Sequence, residues 1–221
     1  MDGINIIEKK IHTDGEPYYF NTATMEKYGE IVGGLAWPEI AEGFLVIVAV
    51  DFFEDSALEA RHIRVLEEAT ESDINTFLKH ALELKKHFSP FTGTIRFYGN
   101  TTSPAVMELL DGFNRDRRHR GLDPFYLTEA PKTKDPKRNE FYAELIRKYT
   151  HPGRKILHFC NTALPSYLMG LWPDEISKNA LGHAPVAALG YALAVLSTWK
   201  PRKRAPDLKA KYERILTDNP V

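Results

Sequence analysis

The stretch Gly43-Phe44-Leu45-Val46-Ile47-Val48-Ala49-Val50-Asp51 constrains the fold more than any other in the chain. It is rich in β-branched residues and almost continuously apolar, without the alternation that would leave one side wet. A strand of this kind is buried on both faces. The sheet that holds it must be covered twice, which calls for helices on both sides and an α/β architecture.

The neighbouring segments build that sheet. Glu30 to Trp37 is a short apolar run stopped by Pro38, and Arg61 to Glu68 alternates as a strand with one wetter face. Short connections make the three an antiparallel meander. The apolar period then changes to that of a helix. Ser72 is a candidate cap for a helix carrying Ile74, Phe77, Leu78, Ala81 and Leu82, which Pro90 ends. Thr94 to Gly99 is a fourth strand, and Ser103-Pro104 opens a second helix with Val106, Leu109, Leu110 and Phe113. Residues 115–138 read as irregular and basic, with a short strand at Pro124 to Leu127. A helix with Phe141, Leu145 and Tyr149, a strand from Lys155 to Phe159, a short helix from Pro165 to Trp172 and a very apolar helix from Ala184 to Trp199 complete the pattern. The expected division is an extension over 1–28 packed on the domain, one α/β domain over 29–199, and a basic tail over 200–221.

A meander, a helix, a further strand and then alternating helices and strands resembles the order of a ribonuclease-H-like fold: a mixed sheet, three-strand meander plus parallel strands, with helices on both faces. Within it, Gly34-Leu35-Ala36-Trp37, the strand ending Tyr98-Gly99, the segment Ala130-Pro131-Lys132 with Arg138, and Gly182-His183-Ala184-Pro185-Val186-Ala187 to Tyr191 resemble, in order and spacing, the nuclease domain of phage terminase large subunits. The likeness runs over residues 30–199. It implies a phage or prophage protein of DNA packaging, with duplex DNA, a terminase motor or a portal protein as partners.

The departures from that family bear on activity. Such nucleases cut phosphodiesters with two divalent ions, and Mg²⁺ and Mn²⁺ require anionic oxygen ligands. The positions that the resemblance aligns with the ligand aspartates are Ala36, Gly99 and Ala187, and Gly182 stands where a further aspartate precedes the histidine. None offers an oxygen to a metal. The expectation is a domain without nuclease activity and without a cofactor, serving as a DNA- or protein-binding module. The competing expectation is a working metal-dependent endonuclease whose Mg²⁺ or Mn²⁺ is held by relocated groups: Asp51, Glu39, Glu42 and His183, with Glu67 and Glu68 nearby in sequence. The plainer reading of Asp51 is a strand end facing water, and of His183 a hydrogen-bonded residue ahead of a helix. His158 and Cys160 alternate with apolar residues and read as core or edge positions, not as a thiol with its base.

With 29 Lys and Arg against 30 Asp and Glu among 221 residues, the net charge of −1 announces neither nucleic acid nor membrane, so any basic surface must be local. Two stretches offer one: Arg115, Arg117, Arg118 and Arg120, and Lys132, Lys134 and Arg138. The tail residues Lys200, Arg202, Lys203 and Arg204 are a third. Clustered cations are what phosphate contact requires, and solvated loops are the commoner origin of such runs. No GxxxxGK[ST] loop is present, so a packaging motor would come from another polypeptide. A single Cys160, no apolar leader and no membrane-length apolar run give the expectation of a cytoplasmic protein.

Overall fold

The computed structural model describes residues 7–37, 42–53, 62–89, 95–101, 104–131, 137–150, 157–159 and 184–199. The strands are β1 (Ile7–Ile11), β2 (Pro17–Asn21), β3 (Lys27–Ala36), β4 (Gly43–Asp51), β5 (Ile63–Glu71), β6 (Arg96–Gly99), β7 (Leu127–Glu129) and β8 (Leu157–Phe159). The helices are α1 (Ile74–Phe88), α2 (Pro104–His119), α3 (Arg138–Thr150) and α4 (Ala184–Leu196). The short helix expected from Pro165 to Trp172 lies outside the described residues, as does the tail.

All eight strands join one mixed sheet. The meander is as the sequence indicates: β3 and β4 are antiparallel with Ile31 opposite Ala49 and Leu35 opposite Leu45, and β4 and β5 are antiparallel with Val46 opposite Glu68. β6 runs parallel to β3, β7 parallel to β6, and β8 parallel to β5 on the other side. Every residue of β4 except Asp51 is buried, and its pleat feeds two cores. Phe44, Val46, Val48 and Val50 meet α3 and α4, whereas Leu45, Ile47 and Ala49 meet α1 and α2. Helices therefore cover both faces, and the continuous apolar run has its physical reason.

The first residues do more than pack on the domain. Ile7–Ile11 and Pro17–Asn21 form an antiparallel hairpin whose second strand pairs with the start of β3, with Tyr19 opposite Tyr28. The Asp14-Gly15 signal is its turn, where Gly15 takes φ +89°. Two strands thus share one edge of β3: β2 takes Lys27 and Tyr28, and β6 takes Val32 to Leu35. Gly29, Glu30 and Ile31 lie in the fork between them, at a break in the β3–β4 register between Tyr28 and Glu30.

Two helix ends differ from the sequence reading. The cap of α1 is Asp73, not Ser72: its carboxylate accepts the Thr76 N–H at 2.7 Å. Helix α2 runs on through Arg115–His119, which the sequence reading left irregular. It stops in a left-handed cap at Gly121 (φ +69°), with the Leu122 N–H donating to the Arg117 carbonyl and the Gly121 N–H to that of Arg118. The buried Asn114 fixes the following chain by accepting from the Phe125 N–H and donating to the Phe125 carbonyl, at 2.7 and 2.8 Å.

Helix α4 is buried on nearly all sides, with Ala184, Ala187, Ala188, Gly190, Ala192 and Ala194 along it. These small residues let its backbone touch the sheet. A Cβ on Gly34 would stand 1.9 Å from the Ala188 carbonyl oxygen. No described helix is long and apolar enough to cross a membrane.

Candidate functional site

The three positions aligned with metal-binding carboxylates occupy neighbouring parts of the fold. Leu35 of β3 is the register partner of Gly99, the last residue of β6, and Ala36 is the next residue along β3. Ala36 and Ala187 belong to the same core, at 7% and 2% exposure. The side-chain directions do not converge. A Cβ on Gly99 would meet the Leu35 carbonyl at 2.7 Å and the Leu127 methyls at 3.1 Å, so that position points into β7 and away from Ala187. At Gly34, two residues before Ala36, α4 packs backbone-close on the strand.

Two of the four groups of the relocated-carboxylate alternative, Asp51 and Glu42, do not come together. Asp51 ends β4 and Glu42 immediately precedes its first residue, so the two lie roughly 30 Å apart along one strand at about 3.4 Å per residue. Glu39 and His183 lie outside the described residues. Asp51 does not simply face water either. Arg64 of β5 grips it from two nitrogens, at 2.8 and 3.1 Å, and its third reaches Glu26 at 2.7 Å. Glu26 in turn accepts from the Tyr28 hydroxyl at 2.5 Å and the Thr24 hydroxyl at 2.9 Å. Burial, then the hydrogen bond to Glu26, push the Tyr28 phenol far above its ordinary range, so it stays a donor. The bond to Asp51 raises the Arg64 guanidinium further. Glu67 is exposed and Glu68 half-buried on β5, away from this network.

His158 sits opposite Arg64 in the β5–β8 ladder, and its Nε2 lies 2.6 Å from Nδ1 of His62, with the rings stacked at 4.8 Å. Burial lowers the His158 pKa, and the Arg64 and His62 charges lower it further. One ring donates to the other when both are neutral. His158, read as a core or edge residue, lies on β8 at the end of the described strand order, while Cys160 is outside the described residues. An open cavity of about 460 Å³ beside this network is lined by Met25, Glu26, Lys27, Asp51, Phe53 and Arg64. Among the described residues no group of three or more His, Cys, Asp and Glu side chains is arranged to hold a metal ion.

The described basic positions fall on two elements, α2 and α3. Arg115, Arg117 and Arg118 are on the last turns of α2 and Arg120 is its cap, on the α1/α2 face; Arg138 opens α3 on the other face; Lys132 and Lys134 lie outside the described residues. Arg117 is spent locally, donating to the Asp123 carbonyl at 2.6 Å and lying over Phe113, and Arg120 pairs with Asp116 at 3.2 Å. Cations at a helix C-terminus also suit its dipole. Arg115 and Arg118, three apart on one exposed helix face, are left to meet a phosphate.

Sequence reasoning missed the Glu26–Arg64–Asp51 network and the residues at the fork. Arg64 was visible as a charge within an apolar alternation, but its partners come from a hairpin and a register that no local pattern reveals. A second cavity, about 260 Å³, opens at the fork and is lined by Lys9, Glu16, Pro17, Tyr19, Gly29, Glu30, Phe52 and Trp199. No family model matches this sequence, and neither a curated protein nor a solved structure is significantly similar to it.

Proposed function

We propose that this chain is a ribonuclease-H-like domain of the terminase-nuclease type that does not cut DNA and serves, in the cytoplasm of a phage- or prophage-bearing cell, as a DNA- or protein-binding module in packaging. The observation that carries the reading is the strand order β5-β4-β3-β6-β7, antiparallel through the meander and parallel beyond it, with Ala36 and Gly99 at the adjoining ends of its two central parallel strands and α4 laid across them. Ala36 and Ala187 share one core and offer no oxygen, which supports a domain without catalysis, while Gly99, at the adjoining strand end, points away from them. A fold order by itself is shared by unrelated activities, so the reading stands on the site as much as on the topology. The endonuclease alternative has no support in the positions of Asp51 and Glu42.

The first test is a Mn²⁺ titration of the purified protein with a plasmid-cleavage assay alongside. The expected result is no saturable binding at micromolar Mn²⁺ and no cleavage; either one overturns the non-catalytic reading. The DNA arm rests on Arg115 and Arg118. Duplex binding at low salt should be weak and should fall steeply as salt rises, because phosphate contacts release counterions. The double reversal Arg115→Glu with Arg118→Glu should abolish it at unchanged thermal stability, since exposed charges contribute little to folding. Binding that survives the reversal removes these residues from the interface, and no binding at low salt leaves a protein partner.

A further inference from the structure

We propose that the fork between β2 and β6 is a binding site for an organic ammonium group, seated between aromatic walls and the carboxylates of Glu30 and Glu16. The proposal is independent of the nuclease-like reading, because the fork sits at the β2-paired end of β3, away from Ala36.

The sheet itself makes the cavity. β2 leaves β3 after Tyr28 and β6 joins it only at Val32, so among the described residues three positions of a central strand have no strand partner on that side. Glu30 stands in this gap with its carboxylate accepting the Ile31 N–H. Tyr19 flanks it from β2, and the Trp199 indole covers Gly29 so closely that a Cβ there would lie 1.8 Å from the ring. Phe52 and Pro17 add apolar wall.

Two chemical features select the ligand. Among the described residues the lining carries Glu16 and Glu30 against Lys9, an excess of negative charge. Among its described lining residues Tyr19, Phe52 and Trp199 are aromatic, and ring faces attract cations that shed water easily, alkylated ammonium above all. Glu30 is half-buried, and burial raises its pKa despite the Ile31 N–H and the nearby Arg96. The Tyr19 phenol is raised as well, by burial and then by the Glu30 charge. Arg96, exposed on β6, is the one cation close enough to lower Glu30, and it stands outside the cavity lining. A carboxylate stripped of part of its water without full compensation gains from a cation that enters beside it.

The test uses the full chain and three probes: choline, its uncharged isostere neohexyl alcohol, and Nα-acetyl-lysine methylamide. Choline or the lysine analogue should bind saturably by calorimetry, at least about tenfold more tightly than the neutral alcohol, the difference expected of a cation on aromatic faces. The tighter of the two charged probes identifies the source as a free small molecule or a lysine side chain. Glu30→Gln should lower this preference to the part that the aromatic faces supply, while far-UV circular dichroism stays unchanged, since the amide oxygen can still accept the Ile31 N–H. Binding should weaken as pH falls through the raised Glu30 pKa. Equal affinity for the neutral alcohol, a preference unchanged by Glu30→Gln, or no binding of either charged probe overturns the proposal.

Discussion

The two ends of β3 solve opposite problems. At the Ala36 end, glycine and alanine let α4 lie directly on the strand, and the contact is backbone against sheet. At the Lys27 end, the strand breaks register, its edge is shared by two partners, and the nearby side chains are Glu26, Glu30, Asp51 and Arg64 with cavities beside them. The end that a family likeness marks for chemistry is the drier one. The end it ignores carries the polar groups and the openings.

The sharpest way to break this contrast is to put the carboxylates back. Ala36→Asp with Ala187→Asp should cost more than about 4 kcal/mol in a urea titration, because both charges enter a packed core without partners. Mn²⁺ should not restore the loss. A melting temperature that climbs with Mn²⁺ would mean that the packed end still holds the geometry of a metal site. Next in size, Gly34→Val should destabilise by about 3 kcal/mol, since α4 must lift to admit a side chain. A near-neutral result would show that the close approach of α4 is not what closes this end.

At the polar end the effects are smaller. Arg64→Met leaves Asp51 and Glu26 without their shared cation and should cost about 2 kcal/mol, discounted for the water that still reaches all three groups. The smallest effect concerns Glu30. Its folded pKa is raised by burial, so ionising it penalises the fold, and the penalty is present above that pKa and relieved as pH falls toward the ordinary glutamate range. Glu30→Gln should therefore be slightly more stable than the parent at neutral pH, with the advantage disappearing in acid. An advantage that grew on acidification would reverse the sign assigned here.

What could be read from sequence follows from how local the cause is. The β4 run and the apolar stripes of α1 and α4 report burial directly, so the meander, the covering helices and the mixed sheet were legible. The hairpin was not, because Ile7-Glu8-Lys9-Lys10-Ile11 is an edge strand dressed in charge, which hides its pairing. Arg115 to His119 carry no helical signal in sequence because an exposed helical turn has no apolar period, and only the left-handed Gly121 marks where the helix ends. The separation of Glu42 from Asp51 was available from the sequence, since they bracket a single strand. The Arg64 network and the fork were not, because each depends on which strands share an edge.

The contact between Gly34 and Ala188 also sets a timetable. The helix that seals one face of the sheet comes about 150 residues after the strand it seals. During synthesis Val46, Val48, Val50 and Val65 must wait for it, presenting an open apolar surface that competes for other chains. Closure this distant in sequence also makes a slow folding step. A chain cut before Ala184 would keep its strands and lose its lid, and its characteristic fate would be aggregation, not a looser version of the same molecule.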